Sequence, residues 1–142
     1  MKLMIDAIVG PKGSGKTAKL VAEISRLAEE AESNIVCIEY GKRFDRQIPY
    51  QVRLIDITEY PVNSYRELLS FLAGLTAKDY DITRIYIDSI YKVANDDSLE
   101  DLAHFFDELE TFATQNEVDI TITISDEKDR LPENVVAKMR EI

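Results

Sequence analysis

The sequence predicts an α/β fold, a three-layer α/β/α sandwich around a mainly parallel sheet of about five strands. Short runs of β-branched residues, apolar on both faces, alternate with stretches of helical spacing. This alternation is typical of a parallel sheet that helices cover on both sides. The sequence has no internal repeat and no Pro/Gly/Ser-rich linker, so residues 1–142 are predicted to form a single domain.

Five apolar runs predict the strands of this sheet. They lie at Leu3–Val9, Ile35–Ile38, Val52–Ile57, Ile85–Ile87 and Ile120–Ile124. Each run is short and rich in isoleucine and valine, which favour the pleated surface of a buried strand. The segment YGKRFDRQIPY, residues 40–50, is predicted to join two strands without an intervening helix.

Helical spacing first appears after residue 17, where Leu20, Ile24 and Leu27 share one face. A second helix is predicted to begin at Ser64, because its spacing to Glu67 forms a capping box.

A third helix is predicted to begin near Asp97 or Ser98. A short last helix is predicted to open at Pro132, which suits a first helical position. The residues of this helix that are expected to face inward are Val135, Val136 and Met139.

The composition argues against several classes of partner. The formal net charge is −10, from 27 acidic and 17 basic residues, so neither nucleic acid nor an anionic membrane surface is an expected partner. No segment approaches the roughly 20 apolar residues that span a bilayer. The N-terminal residues make a poor signal peptide, and the lone Cys37 is expected to be a small core hydrophobe. The expected location is therefore the cytoplasm.

The segment GPKGSGKT, residues 10–17, holds three of the five glycines. It matches the phosphate-binding motif G-x-x-x-x-G-K-[ST] at Gly10, Gly15, Lys16 and Thr17, between a predicted strand and a predicted helix. Glycines let the backbone curl so that several N–H groups face one anion-binding concavity. The helix N-terminus adds a positive partial charge.

This motif predicts a site for ATP and Mg²⁺, with Lys16 on the β- and γ-phosphates and Thr17 on the metal. The residues predicted to bind the nucleotide are Gly10, Pro11, Lys12, Gly13, Ser14, Gly15, Lys16, Thr17 and Ala18. The same stretch also fits a dinucleotide fingerprint, G-x-G-x-x-[GA], at Gly13, Gly15 and Ala18, with Glu39 as the ribose-binding acid. An NAD-type site is therefore an alternative.

A second metal ligand is predicted at Asp88, which follows the apolar strand RIYI. The alternative is that Asp88 caps a helix or a turn. The residues after it, Ser89-Ile90-Tyr91, do not form the D-x-x-G of a GTPase, and SDEKD at 125–129 does not form N-K-x-D.

Together these residues resemble the RecA/KaiC-like branch of the P-loop ATPases. The resemblance extends from the glycine loop to about Ser125. The resemblance implies an additional strand between the strand that precedes the glycine loop and the strand that precedes Asp88. It implies that Asp88 is the Walker B acid. It also implies that Glu39, at the end of IVCIE, orients the attacking water and that Ser125 senses the γ-phosphate. The alternatives are that Glu39 is a solvent-facing strand-end acid and that Ser125 caps a helix or turn.

The predicted function is slow hydrolysis of ATP to ADP and phosphate, with Lys16, Glu39 and Ser125 as catalytic residues. Lys42, Arg43 and Arg46 are candidates to contact phosphate, either in their own chain or in a neighbouring subunit. A homo-oligomer or a protein partner is therefore expected. Two alternatives are a non-catalytic nucleotide-sensing module and a small-molecule kinase.

Overall fold

The structure, a computed structural model, describes residues 4–30, 34–44 and 47–140. Within these ranges the strands are β1 (Ile5–Gly10), β2 (Ile35–Glu39), β3 (Arg53–Asp56), β4 (Arg84–Ile87), β5 (Asp119–Ser125) and β6 (Met139–Arg140). The helices are α1 (Lys16–Leu27), α2 (Tyr65–Lys78), α3 (Ile90–Val93), α4 (Leu99–Asn116) and α5 (Glu133–Val136). Short 3-10 turns lie at Ile57–Glu59 and Lys128–Arg130.

The strands form one sheet in the order β3-β2-β4-β5-β1-β6, and every pairing is parallel. The predicted α/β class is therefore confirmed, with six described strands in place of about five. Helix α1 packs on one face of the sheet, and α2, α4 and α5 pack on the other. This arrangement is consistent with a three-layer α/β/α fold.

The sixth strand corrects the predicted last helix. Helix α5 ends at Val136, and Met139 lies in β6 instead of facing inward from the helix. In β6, Met139 pairs with Ala7, and the Ala7 N–H donates to the Lys138 carbonyl at 2.9 Å. The short strand thus satisfies backbone groups of β1 that another turn of helix would leave unpaired.

Two apolar clusters hold the layers together. Beneath α1, buried side chains such as Leu20 and Ile24 pack against Tyr86 and Cys37 of the sheet. The larger cluster, on the opposite face, joins residues of α2 and α4 to the isoleucines of the strands. Burial, reinforced by the nearby carboxylates of Asp88 and Glu39, raises the pKa of the Cys37 thiol, which confirms it as a core hydrophobe.

The predicted starts of α2 and α4 agree with the observed caps. Ser64 Oγ accepts a hydrogen bond from the Glu67 N–H at 3.0 Å. Ser98 Oγ accepts from the Asp101 N–H at 3.1 Å, so Ser98 is the N-cap of α4. The start of α5 differs by one residue, because Pro132, predicted at the first helical position, is the N-cap and the helix begins at Glu133.

Parallel pairing brings the carboxyl ends of the central strands to one edge of the sheet. Gly10 at the end of β1 pairs with Ser125 at the end of β5. Because Ile87 of β4 pairs with Ile122, Asp88 lies level with the next residue of β5, Thr123. In open parallel sheets this edge is where ligands bind.

Among the helices of residues 4–30, 34–44 and 47–140, none has the length and apolar character needed to cross a membrane.

Candidate functional site

The glycine-rich loop has the backbone shape that the sequence predicts. Gly13 and Gly15 have φ angles of 85° and 92°, in the left-handed region that L side chains rarely adopt. The loop closes with a hydrogen bond from the Ser14 N–H to the Pro11 carbonyl at 3.1 Å. Helix α1 begins at Lys16, directly after Gly15, so its unpaired N–H groups lie at the loop.

Lys16 lies folded across this loop. Its Nζ donates to the Pro11 carbonyl oxygen at 2.9 Å, and the residue is 6% exposed. Burial lowers the pKa of Lys16, and the negative charge of Asp88 partly offsets that effect. The ammonium group is therefore held at the loop by a hydrogen bond to a backbone carbonyl, within the electrostatic influence of Asp88.

A cavity of about 310 Å³ opens beside the loop at the carboxyl edge of the sheet. Its lining residues are Lys12, Gly13, Lys16, Thr17, Arg43, Ser89, Tyr91, Lys92, Thr123 and Ser125. Five of these are among the predicted site residues: Lys12, Gly13, Lys16, Thr17 and Ser125. The cavity also gathers four cationic side chains, although the whole chain has a net charge of −10.

Asp88 lies just beyond β4 and is 2% exposed. Its Oδ1 accepts a hydrogen bond from Thr123 Oγ1 at 2.8 Å, and its Oδ2 lies 3.8 Å from Nη1 of Arg43. The N-cap of α3 is Ser89, so Asp88 does not cap that helix. Ser89 has φ 65°, an uncommon conformation for a residue other than glycine, and such strain is concentrated at functional sites.

A magnesium ion would be held here by few protein ligands. In the described ranges there is no group of three or more His, Cys, Asp or Glu residues that would form a complete cage. Mg²⁺ usually binds one or two carboxylates together with substrate phosphates and waters. A buried carboxylate at Asp88 and a hydroxyl at Thr17, beside a cationic cavity, fit that pattern.

Glu39 is completely buried at the end of β2, so the alternative that it is a solvent-facing strand-end acid is wrong. Its Oε1 accepts hydrogen bonds from the backbone N–H groups of Arg43 at 2.8 Å and Phe44 at 3.0 Å. The predicted catalytic glutamate therefore also anchors the connection that leads to β3. Glu39 does not line the cavity.

A second carboxylate, Asp56, fixes the same connection. Its Oδ1 accepts from the Gly41 N–H at 2.9 Å and from both the N–H and the hydroxyl of Thr58. Burial alone would raise the pKa of Asp56. The hydrogen bonds from Thr58 and Gly41, with the charge of Lys42, outweigh burial and lower it.

The three basic residues of this connection differ in position. Arg43 reaches the cavity and Asp88 of its own chain. Lys42 is exposed and lies outside the cavity lining. Arg46 falls outside the described residues.

Ser125 is exposed at the end of β5, opposite Gly10, and lines the cavity. The 3-10 turn that follows β5 is capped by Glu127, so Ser125 does not cap that turn. Ser125 is therefore available to a ligand of the cavity.

Three residues of the site are not indicated by the motifs. Thr123 is 1% exposed, and its Oγ1 both donates to Asp88 and accepts from the Ser89 N–H at 2.7 Å. Its signal in the sequence is a polar residue within the apolar run DITITIS, which must find a partner if the strand is buried. Tyr91 and Lys92 lie in α3, after Asp88, Ser89 and Ile90, and periodicity alone does not direct them to the cavity.

Thr123→Val is expected to lower the free energy of unfolding by about 1–3 kcal/mol, because Asp88 and the Ser89 N–H lose a buried partner. Thr121→Val is the matched control on the same strand, where the hydroxyl accepts one long bond, at 3.3 Å, from Arg140. Chemical denaturation measures both variants. Equal losses in the two would show that the Thr123 hydroxyl has no special role at Asp88.

Comparison with known proteins does not add a family. No protein-family model matches the chain, and a search of curated proteins finds no significant similarity.

Proposed function

We propose that the chain binds ATP with Mg²⁺ in this cavity and hydrolyses it slowly to ADP and phosphate. The observation that carries the proposal is the meeting of four cationic side chains around a glycine loop at a helix N-terminus. They are Lys12, Lys16, Arg43 and Lys92.

This concentration of charge points to a ligand with several phosphates. In a chain of net charge −10, four cations in one small cavity oppose the field of the whole molecule. The backbone N–H groups of the loop and of the first turn of α1 add further anion donors. Ser14 Oγ in the same loop is buried and has no hydrogen-bond partner within the described part of the chain, as expected for a loop shaped for a ligand.

The strand order also supports an ATPase of the RecA/KaiC-like type. Strand β5, which ends in Ser125, lies between the loop strand β1 and β4, which leads to Asp88. The resemblance implies this additional strand. A GTP-specific site is not favoured, because the D-x-x-G and N-K-x-D signatures are missing from the corresponding segments of the sequence.

The chain's own residues divide the work of the proposed reaction. Lys16 and the loop amides bind and orient the phosphates, while Thr17 and Asp88 would hold the metal. When bound, Mg²⁺ would neutralise charge that develops on the phosphate oxygens. Ser125 donates a hydrogen bond to an oxygen of the terminal phosphate. Phosphoryl transfer of this kind depends on position and charge, without a covalent intermediate on the protein.

In this scheme Glu39 orients the attacking water, although its Oε1 accepts hydrogen bonds from two backbone amides. Glu39→Gln keeps an oxygen that can accept both bonds and removes the charge. We expect ATP affinity to stay within a few-fold while turnover falls by roughly tenfold or more, a cost of about 1.4 kcal/mol in the barrier. Calorimetry and a phosphate-release assay separate the two quantities. If turnover stays at the wild-type rate, Glu39 only anchors the loop.

A second candidate function, a non-catalytic nucleotide sensor, is favoured by one observation. Glu39 is completely buried, accepts hydrogen bonds from two backbone amides and does not line the cavity, so it is not in contact with the space that a nucleotide would fill. A sensor would bind ATP and ADP with different affinities yet release no phosphate.

The proposed function is tested by calorimetric titration with AMP, ADP and ATP, each with and without Mg²⁺. We expect affinity to rise with each added phosphate and the ATP affinity to depend on Mg²⁺. NADH serves as the rival ligand. Tighter binding of NADH than of ATP, without dependence on Mg²⁺, would contradict the proposal and favour the dinucleotide fingerprint.

A further inference from the structure

Arg43 comes from the connection between β2 and β3, yet it lines the cavity beside the glycine loop, at the carboxyl edge of the sheet. Its Nη1 lies 3.8 Å from Asp88 Oδ2, and its side chain is 48% exposed. The guanidinium carbon lies 5.9 Å from the centre of the Phe44 ring. The long distance to Asp88 and the exposure of the side chain indicate that the guanidinium group is only weakly held.

The backbone at Arg43 is much more firmly held than its head group. Glu39 Oε1 accepts from the N–H groups of Arg43 and Phe44, and Asp56 accepts from Gly41. Phe44 is 1% exposed and packs in the apolar cluster beneath α1. The buried carboxylates of Glu39 and Asp56 and the buried ring of Phe44 therefore fix the backbone position of Arg43, while its guanidinium group is free to change partner.

The charges around Asp88 favour a change of partner for this guanidinium. Asp88 is buried, and its neighbouring cations are Arg43, at 3.8 Å, and Lys16. A nucleotide with its metal would bring a new cation to Asp88 and a strong anion to the same cavity. The guanidinium fork matches phosphate oxygens geometrically, so Arg43 would then bind the phosphate more strongly than it binds Asp88.

We propose that Arg43 is a catalytic residue that acts in cis, contacting the terminal phosphate of the ATP bound by its own chain. This inference rests on the proposed function and assigns a residue to it. In this role Glu39 and Asp56 are positioning residues for Arg43, since their carboxylates fix the backbone that carries it. A neighbouring subunit is then not required to supply this cation.

Binding measurements test the contact itself. Arg43→Ala should weaken binding of a non-hydrolysable ATP analogue by roughly tenfold and leave ADP affinity within about twofold, because ADP lacks the contacted phosphate. Arg43→Lys should recover only part of the loss, since an ammonium group lacks the planar fork. The matched control is Arg66→Ala on α2, an exposed arginine away from the cavity, which should change neither affinity.

Turnover measurements distinguish cis from trans action. Arg43→Ala should lower turnover by roughly tenfold or more, and the specific activity of the wild-type chain should not depend on its concentration. The specific activity of a mixture of Lys16→Ala and Arg43→Ala chains should equal the average of the specific activities of the two variants measured alone. Recovery of activity in the mixture would show that Arg43 acts on a neighbour and would overturn the inference.

Failure of the inference is distinguishable from failure of the proposed function. If the wild-type chain binds both nucleotides and Arg43→Ala leaves the ratio of ATP-analogue to ADP affinity unchanged, the site stands and the role of Arg43 is wrong. If the wild-type chain binds neither nucleotide, the proposed function itself is wrong and the inference falls with it.

Discussion

Lys16→Ala is expected to weaken ATP binding by about ten- to a hundredfold while the chain stays folded. The ammonium group lies at the loop, where it donates to the Pro11 carbonyl at 2.9 Å. On ATP binding, this hydrogen bond would be exchanged for one to phosphate. Losing a hydrogen bond between two charged groups costs about 1.5–3 kcal/mol, which corresponds to this range of affinities. Calorimetric titration with ATP and Mg²⁺ measures the effect.

Lys78→Ala is the matched control for this variant. Lys78 is exposed in the last turn of α2, away from the cavity, so its loss changes the net charge equally. We expect its ATP affinity to stay within about twofold of wild type, because exposed charges beyond a Debye length are screened. Equal losses in both variants would mean that Lys16 acts only through net charge. An unchanged ATP affinity in Lys16→Ala would contradict the proposal that the glycine loop binds the phosphates of ATP.

Asp88→Asn is expected to lower ATP turnover by about a hundredfold or more, because a bound metal supplies several kcal/mol of charge stabilisation in the transition state. Asparagine keeps an oxygen that can accept from Thr123, so the local packing should survive. The Mg²⁺-dependent part of ATP affinity should also fall. Phosphate release measured over a range of Mg²⁺ concentrations tests both effects.

The control for Asp88→Asn is Asp81→Asn, at an exposed acid that precedes β4 at the opposite end of that strand. This change should leave both turnover and the Mg²⁺ requirement at wild-type levels. The metal role of Asp88 would be contradicted if Asp88→Asn needed no more Mg²⁺ than the wild-type chain for half-maximal activity.

Much of the site could be predicted because it depends on local pattern and on sheet topology. The glycine motif requires positive φ angles, and Gly13 and Gly15 have them. Thr17 and Ser125 meet in one cavity because the carboxyl ends of parallel strands share an edge of the sheet. The same rule brings Asp88 to that edge once its strand is recognised.

The rest of the site depends on contacts that no periodicity encodes. The connection at residues 40–50 has no helical or strand pattern, so nothing local indicates that Glu39 accepts from the backbone of Arg43. Strand β6 has only two residues, too few for an alternating pattern, and it forms because the edge of β1 offers unpaired backbone groups. The helical spacing that predicts Met139 in the last helix therefore does not continue past Val136 in the structure.

A crystal structure with a non-hydrolysable ATP analogue and Mg²⁺ tests the central claim most directly, that the cavity beside the glycine loop binds a polyphosphate. We predict that the phosphates lie against the backbone amides of residues 13–17, within hydrogen-bonding distance, about 2.7–3.2 Å. Lys16 Nζ should have left the Pro11 carbonyl for a phosphate oxygen. An analogue bound elsewhere on the chain, with Lys16 still donating to Pro11, would contradict the claim.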